Sequence, residues 1–362
     1  MTDVSLVRLR SIKQEFLDLF RTTFGYDMSP ELWEWKYVRN PFVVDDPEIV
    51  VALDRGKVVG ARPFLVAEMW ANDRKLKVAQ PCDTMVHPEY RRQGLFSRMN
   101  ELAIQFLGSK GYALFYNFPS PMARPGYLRQ GWRLISSVEN LFHVTNPRNV
   151  ISCRLGSKFL GIGLGFMYSL FLGTRKRDVS QSKMGFQVRV SDHFNDELEE
   201  VDSLRGSSAI ELVRSKPYLR WRFDQHPEHQ YEYIMAKDRD ELLGYAVIST
   251  QRQPDNLVYD MIMDYVVKEK SIDCFRELMS RSLQEFQDSK SDLISSWHLS
   301  HDELRAELIE RYGFKSSLGF PYRRLLEQRY FVVREVDRQA IGAFDIYDER
   351  NWRVSRAYLD VT

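Results

Sequence analysis

The sequence has 362 residues, more than the roughly 100 to 200 of one compact domain, with 44% hydrophobic and 28% charged residues, which excludes a disordered chain. With 51 Lys plus Arg against 50 Asp plus Glu there is no global field to attract nucleic acid, and no zinc-finger or basic-helix pattern supplies a local one. The three cysteines, Cys82, Cys153 and Cys274, are too scattered for a disulfide framework or a metal site with paired ligands, so a reducing, cytoplasmic setting without a metal is expected.

In chain order, the opening MTDVSLVRLRSIKQEF has an acid at position 3 and lacks the apolar core of a secretory signal. A strand is predicted from Val4 to Leu9, then a helix from Ile12 with Phe16, Leu19, Phe20 and Phe24 at helical spacing. A second helix starts behind Ser29-Pro30, where proline suits a first turn, and ends before Asn40-Pro41. Strands Ile49 to Leu53 and Val58 to Met69 flank the turn Asp54-Arg55-Gly56-Lys57, and a third runs from Lys75 to Val86. The next helix carries Leu95, Met99, Leu102, Ala103 and Phe106 on one face and stops near Gly111; Tyr112 to Phe118 is then a strand.

The same order returns later. Trp35-Lys36-Tyr37-Val38-Arg39-Asn40-Pro41 matches Trp221-Arg222-Phe223-Asp224-Gln225-His226-Pro227 at an offset of 186, Val59-Gly60 matches Leu243-Gly244 at 184, and Gly131-Trp132 matches Gly313-Phe314 at 182. Three ordered matches at a nearly constant offset indicate two copies of one fold. The expected division is residues 1–143 for the first copy, 144–186 for a connector, 187–327 for the second copy and 328–362 for a tail packed on one of them. The second copy is read as a strand at 187–191, helices near 195 and 217, strands, a helix at 272–286, a strand at 292–298 and a helix at 302–311. Within the connector, Leu160 to Gly173 is apolar but shorter than the roughly 20 residues a bilayer span needs. Its glycines and missing polar face disfavour a membrane-surface helix, so burial between the copies or in a homodimer interface is expected.

Between the third long strand and its helix lies Val86-His87-Pro88-Glu89-Tyr90-Arg91-Arg92-Gln93-Gly94-Leu95-Phe96. A strand, loop and helix in this order cradle an anion, because backbone N–H groups and the helix dipole converge on the loop. Gly94 lets the backbone come close to a diphosphate, and Arg91 and Arg92 add charge-assisted contacts.

At these residues the sequence resembles the GNAT superfamily of acyl-CoA-dependent N-acyltransferases, whose motif is V-x-P-x-x-R-x-x-G-x-G/A. Val86, Pro88, Arg91 and Gly94 match it, and Phe96 replaces the final small residue. The resemblance implies an α/β (α+β) chain of two tandem GNAT folds, each a mixed, mostly antiparallel sheet flanked by helices. It implies acetyl-CoA, or another acyl-CoA, as co-substrate, held by Met85, Val86, Arg91, Arg92, Gln93, Gly94, Leu95, Phe96 and Asn117, and a small-molecule amine, such as an amino sugar, as acceptor. A second family landmark, Y-x-x-x-G-F, reads Tyr127-Leu128-Arg129-Gln130-Gly131-Trp132, which gives Tyr127 the role of protonating the leaving thiolate. Asp83, three residues before Val86, is the candidate base for the incoming amine; strand alternation would place it on one face with Met85. In the second copy the chain after the corresponding strand reads Lys268-Glu269-Lys270-Ser271-Ile272-Asp273, without R-x-x-G, and Ile309 stands where the tyrosine would be, so no cofactor site is expected there. The alternatives are a Fem-type aminoacyl transferase, which would not need the R-x-x-G loop, and a non-catalytic acyl-CoA-binding regulator.

Overall fold

The computed structural model describes residues 2–43, 47–155, 185–206, 210–253, 255–287, 289–319, 322–325 and 328–359. The apolar stretch 160–173 lies outside the described residues.

The first copy opens with β1 (Asp3–Arg8), a 3-10 turn, α1 (Lys13–Phe24) and α2 (Pro30–Tyr37). Gly25, left-handed at φ 81°, ends α1, and the Ser29 hydroxyl caps α2 by accepting the Leu32 N–H at 3.1 Å, with Pro30 in the first turn. Phe16, Leu19 and Phe20 are buried, whereas Phe24 is 40% exposed.

The predicted long hairpin is bent in the middle. Its strands are β2 (Glu48–Asp54), β3 (Lys57–Arg62), β4 (Phe64–Ala71), β5 (Arg74–Pro81) and the short β6 (Met85–Val86). Gly60 faces Val86 and Phe64 faces Pro81, so the register slips by one residue between Arg62-Pro63 and Cys82-Thr84. Pro63 supplies no amide hydrogen, and its carbonyl accepts the Cys82 N–H at 3.2 Å, which carries the chain across the break. After the loop come α3 (Leu95–Ser109), β7 (Tyr112–Asn117), α4 (Arg124–Arg129), β8 (Arg133–Val144) and α5 (Pro147–Leu155). Pro125-Gly126 keeps α4 to 6 residues, as helix-breaking residues should.

The second copy repeats this with β9 (Gln187–Ser191), β10 (Ile210–Leu212), β11 (Glu232–Asp238), β12 (Glu241–Arg252), β13 (Val258–Val267), β14 (Leu293–His298) and β15 (Lys315–Ser316). The helix expected near 195 is only two 3-10 turns, Asp196–Leu198 and Val201–Leu204, because Asn195 caps a turn that closes at once. Helices at Ile272–Glu285 and Leu304–Glu310 stand where the pattern placed them. Each copy has one parallel strand pair, β5 with β7 and β13 with β14, inside otherwise antiparallel sheets. This is the two-copy α/β (α+β) architecture.

The copies exchange strands. β8 is 12 residues long; Arg133 to Val138 pair with β16 (Arg329–Glu335), and Glu139 to Val144 pair with β14 of the second copy. β16 in turn lies between β7 and β8, so a strand from the end of the chain completes the first sheet. One buried cluster spans both copies, with Trp35 and Trp221 stacked at 4.9 Å and each indole N–H donating to the other's carbonyl, at 2.7 and 2.8 Å. These are the two repeat-related tryptophans, so the pair marks an approximate two-fold axis.

Candidate active site

The loop Val86 to Gly94 leaves the sheet at β6, with the His87 N–H held by the Val59 carbonyl at 2.9 Å. Pro88–Tyr90 form one 3-10 turn, and the Tyr90 hydroxyl donates to Asp54 at 2.9 Å. Arg92 and Gly94 are both left-handed, at φ 62° and 73°, on either side of Gln93, the alternation that turns successive N–H groups into a concavity. Gly94 is the N-cap of the 15-residue α3, and no side chain caps that helix. The N–H groups of its first turn therefore have no acceptor within the helix. A Cβ built on Gly94 meets nothing within 4 Å, so open space lies in front of the loop. Arg91, Arg92 and Gln93 are exposed there, with the Arg91 Nε–H donating to the Val86 carbonyl at 3.3 Å. Open backbone donors, exposed arginines and the lack of a side-chain cap on α3 fit a diphosphate.

Met85 and Leu95 are buried and can offer a ligand only backbone. Phe96 lies beside Tyr127, their rings 6.5 Å apart. Asn117, the last residue of β7, donates to the Pro81 carbonyl at 3.0 Å and to the Tyr127 oxygen at 2.7 Å. The amide thus spans the gap that opens where pairing of β5 and β7 stops, after Ala79 and Phe115. Tyr127 packs edge-on against Trp132 at 4.9 Å.

Asp83 occupies a different setting from the one strand alternation gives. It sits in the bulge at φ 39°, outside any strand, so it does not share a strand face with Met85. Its carboxylate is held by the Lys36 ammonium at 2.7 Å and by the Tyr37 hydroxyl. Burial, and next the Asp83 charge, push the Tyr37 phenol well above its ordinary range, so Tyr37 remains a donor to Asp83. The sequence reading does not single out Lys36 or Arg62, whose signal is a charge within an apolar segment. Arg62 is fully buried at the end of β3, and its guanidinium donates to Thr84 Oγ1 at 3.1 Å and Asn100 Oδ1 at 2.7 Å.

The second copy closes the equivalent features. The helix Ile272–Glu285 is capped by its own Ser271, which accepts the Cys274 N–H at 3.3 Å, and Asp273 adds an acid to its first turn. Its strands β13 and β14 stop pairing after Ile262 and Ser296; just beyond, His298 links Ser296 at 2.9 Å, Tyr265 at 3.0 Å and Asp302 at 2.8 Å.

These features define a fold of the GNAT type. Residues 10–135 match the family described as acetyltransferase (GNAT) domain. The chain as a whole has the tandem GNAT fold. Among solved structures it is similar to a GCN5-related N-acetyltransferase from Anabaena variabilis, with 13% identity, TM-score 0.64, and 92% of this chain and 73% of that one covered. It is similar to a probable N-acyltransferase from Enterococcus faecalis, with 12% identity, TM-score 0.66, and 94% and 74% covered. A tandem GNAT protein from the clavulanic acid biosynthesis pathway aligns over 95% of this chain and 100% of its own, with 12% identity and TM-score 0.56. No curated protein matches by sequence. Among the described residues no helix is long and apolar enough to cross a membrane.

Proposed function

We propose that the chain transfers an acetyl group from acetyl-CoA to a primary amine of a small molecule in the cytoplasm, with amino sugars the acceptor class to screen first. The observation that carries this reading is the uncapped start of α3 behind left-handed Gly94, placed beside the Asn117 and Tyr127 pair. Acetyl-CoA supplies an activated acyl carbon and a thiolate leaving group. Arg91, Arg92 and the N–H groups of Gln93 to Phe96 hold its diphosphate, while Val86 and Asn117 border the arm. The amine nitrogen bonds to the carbonyl carbon as the C–S bond breaks. Tyr127, oriented by Asn117, gives its proton to sulfur, and Asp83 takes the proton that nitrogen loses. Lys36 and Tyr37 hold Asp83 in position for this. On this reading residues 187–327 act as a wall of the acceptor cleft without a cofactor of their own.

The test is release of free thiol from acetyl-CoA over a panel of amines, with native mass spectrometry to detect bound CoA. Absence of both CoA binding and thiol release in folded protein overturns the reading. Binding without release on any amine favours a sensor.

A further inference from the structure

Among the described residues Arg62 is a cation without a carboxylate partner. It is 0% exposed, and the oxygens of Thr84 and Asn100 that accept its hydrogen bonds are both neutral. Its Nε has no partner, and among the described residues no carboxylate pairs with it. A buried guanidinium in that state is costly, because desolvation is not offset by an opposite charge. The site nevertheless grips it: the rings of Phe64 and Phe96 lie 5.5 and 5.0 Å from the guanidinium carbon, fixing its plane. Phe96 is also the residue that stands edge-on to Tyr127. Burial draws Arg62 down to about 10, opposed first by the Tyr127 phenol, acting through charge and hydrogen bonding, and then by the Cys82 thiol; Arg334 on β16 adds to the lowering. These are the ionisable groups that act on it from β16, α4 and the bulge. The shared ring of Phe96 sets this cation beside the Tyr127 phenol, and a cation so placed stabilises negative charge when that phenol loses its proton.

We propose that Arg62 is a positioning residue for the proposed transfer, holding Tyr127 in place and stabilising the phenolate left when Tyr127 gives its proton to the departing thiolate. The balance is simple. The O–H bond of Tyr127 breaks, an S–H bond forms on the leaving group, and the electron pair stays on the phenol oxygen opposite Arg62. The phenolate is reprotonated by solvent before the next turnover. Asn100 sets the strength of the effect, since its side chain is the neutral acceptor that keeps Arg62 in line without cancelling its charge. The inference rests on the transfer reading for its purpose, but its physical content, a charge coupling between Arg62 and Tyr127, is measurable without any acyl donor.

The experiment is carbon NMR of ring-labelled tyrosine in the full chain, with the Tyr127 signal identified by its loss in Tyr127→Phe. Removing the cation in Arg62→Met, or cancelling it with the near-isosteric Asn100→Asp, is expected to move the Tyr127 titration to higher pH by about one unit or more, and Arg62→Lys to leave it close to wild type. In turnover assays the same two variants lose about a hundredfold in kcat, and the alkaline limb of the pH profile moves up with the NMR titration. CoA affinity, read by calorimetry, stays within about twofold in Asn100→Asp, because the loop itself is untouched. An unmoved Tyr127 titration in a folded variant overturns the proposal, and Asn100→Asp decides the matter where Arg62→Met does not fold. A coupled Tyr127 in a protein that releases no thiol would instead leave the coupling standing and count against the transfer reading.

Discussion

Gly94 and Tyr127 stand at the two ends of the proposed reaction, one holding the donor and one releasing it. At φ 73° Gly94 is in a region that costs other L residues about 1 to 2 kcal/mol, and the space before it is open. Gly94→Glu adds both strain and a negative charge in that space, so the dissociation constant for acetyl-CoA should rise at least tenfold, about 1.4 kcal/mol, by calorimetric titration. Gly94→Asn, which tolerates left-handed backbone without adding charge, should keep most of the affinity. Equal losses in the two variants would mean that backbone shape alone matters there. Tyr127→Phe keeps the ring against Trp132 and removes only the proton, so kcat should fall about a hundredfold with CoA affinity unchanged. Wild-type turnover in that variant would assign the tyrosine to packing.

At the scale of elements, the sequence and the structure agree where local chemistry decides and part where it does not. Ser29-Pro30 announces α2, and the Val86 to Phe96 string sits between a strand and a helix as its residues indicate. The loop was therefore legible from the order of its elements, while Tyr127 and Asn117 entered only through the family resemblance. The break in the hairpin was not, because a one-residue slip at Pro63 and Asp83 leaves the apolar alternation on either side intact. Arg62 was hidden for a related reason: a single arginine before a proline reads as a strand end until its burial is known. Least legible was β16, since Tyr330 to Val333 shows only that a strand wants a partner, and its partners are more than 180 residues away. That pairing makes a clear demand. Truncation before Arg329 leaves β7 and β8 without the strand between them and uncovers buried Phe331, Val332 and Val333 positions of the core. The shortened chain should aggregate or lose CoA binding although every motif residue remains, as read by solubility and calorimetry. Normal CoA binding by the shortened chain would show that β16 is dispensable to the site.

At the scale of the whole molecule, the two copies are joined where Trp35 meets Trp221, and His226 lies against this pair, its ring 4.3 Å from Trp35. Its Nδ1 accepts the N–H groups of Glu228 and His229, each at 3.2 Å, a role only the neutral imidazole can fill. Burial, with the nearby charges of Arg222, His229 and Lys36, lowers its pKa to about 2. The unfolded chain then takes up a proton on this residue below about pH 6.5 that the folded chain refuses, so stability present above that value is lost as pH falls towards 2. The slope from this one group is at most about 1.4 kcal/mol per pH unit, and urea midpoints between pH 7 and 4.5 should fall less steeply in His226→Asn than in the wild type. Parallel slopes would place the acid sensitivity elsewhere. The exchanged strands also set a clock. Chain emerging from a ribosome at roughly 5 to 20 residues per second delivers β8 long before β16, 191 residues later if counted from Val144 to Glu335, an interval of about 10 to 40 s. For that time the first copy lacks the strand that lies between β7 and β8, and the facing edges of those two strands have no partner. This protein therefore cannot mature from its beginning towards its end. Its first half is finished last, by the passage of the final strand.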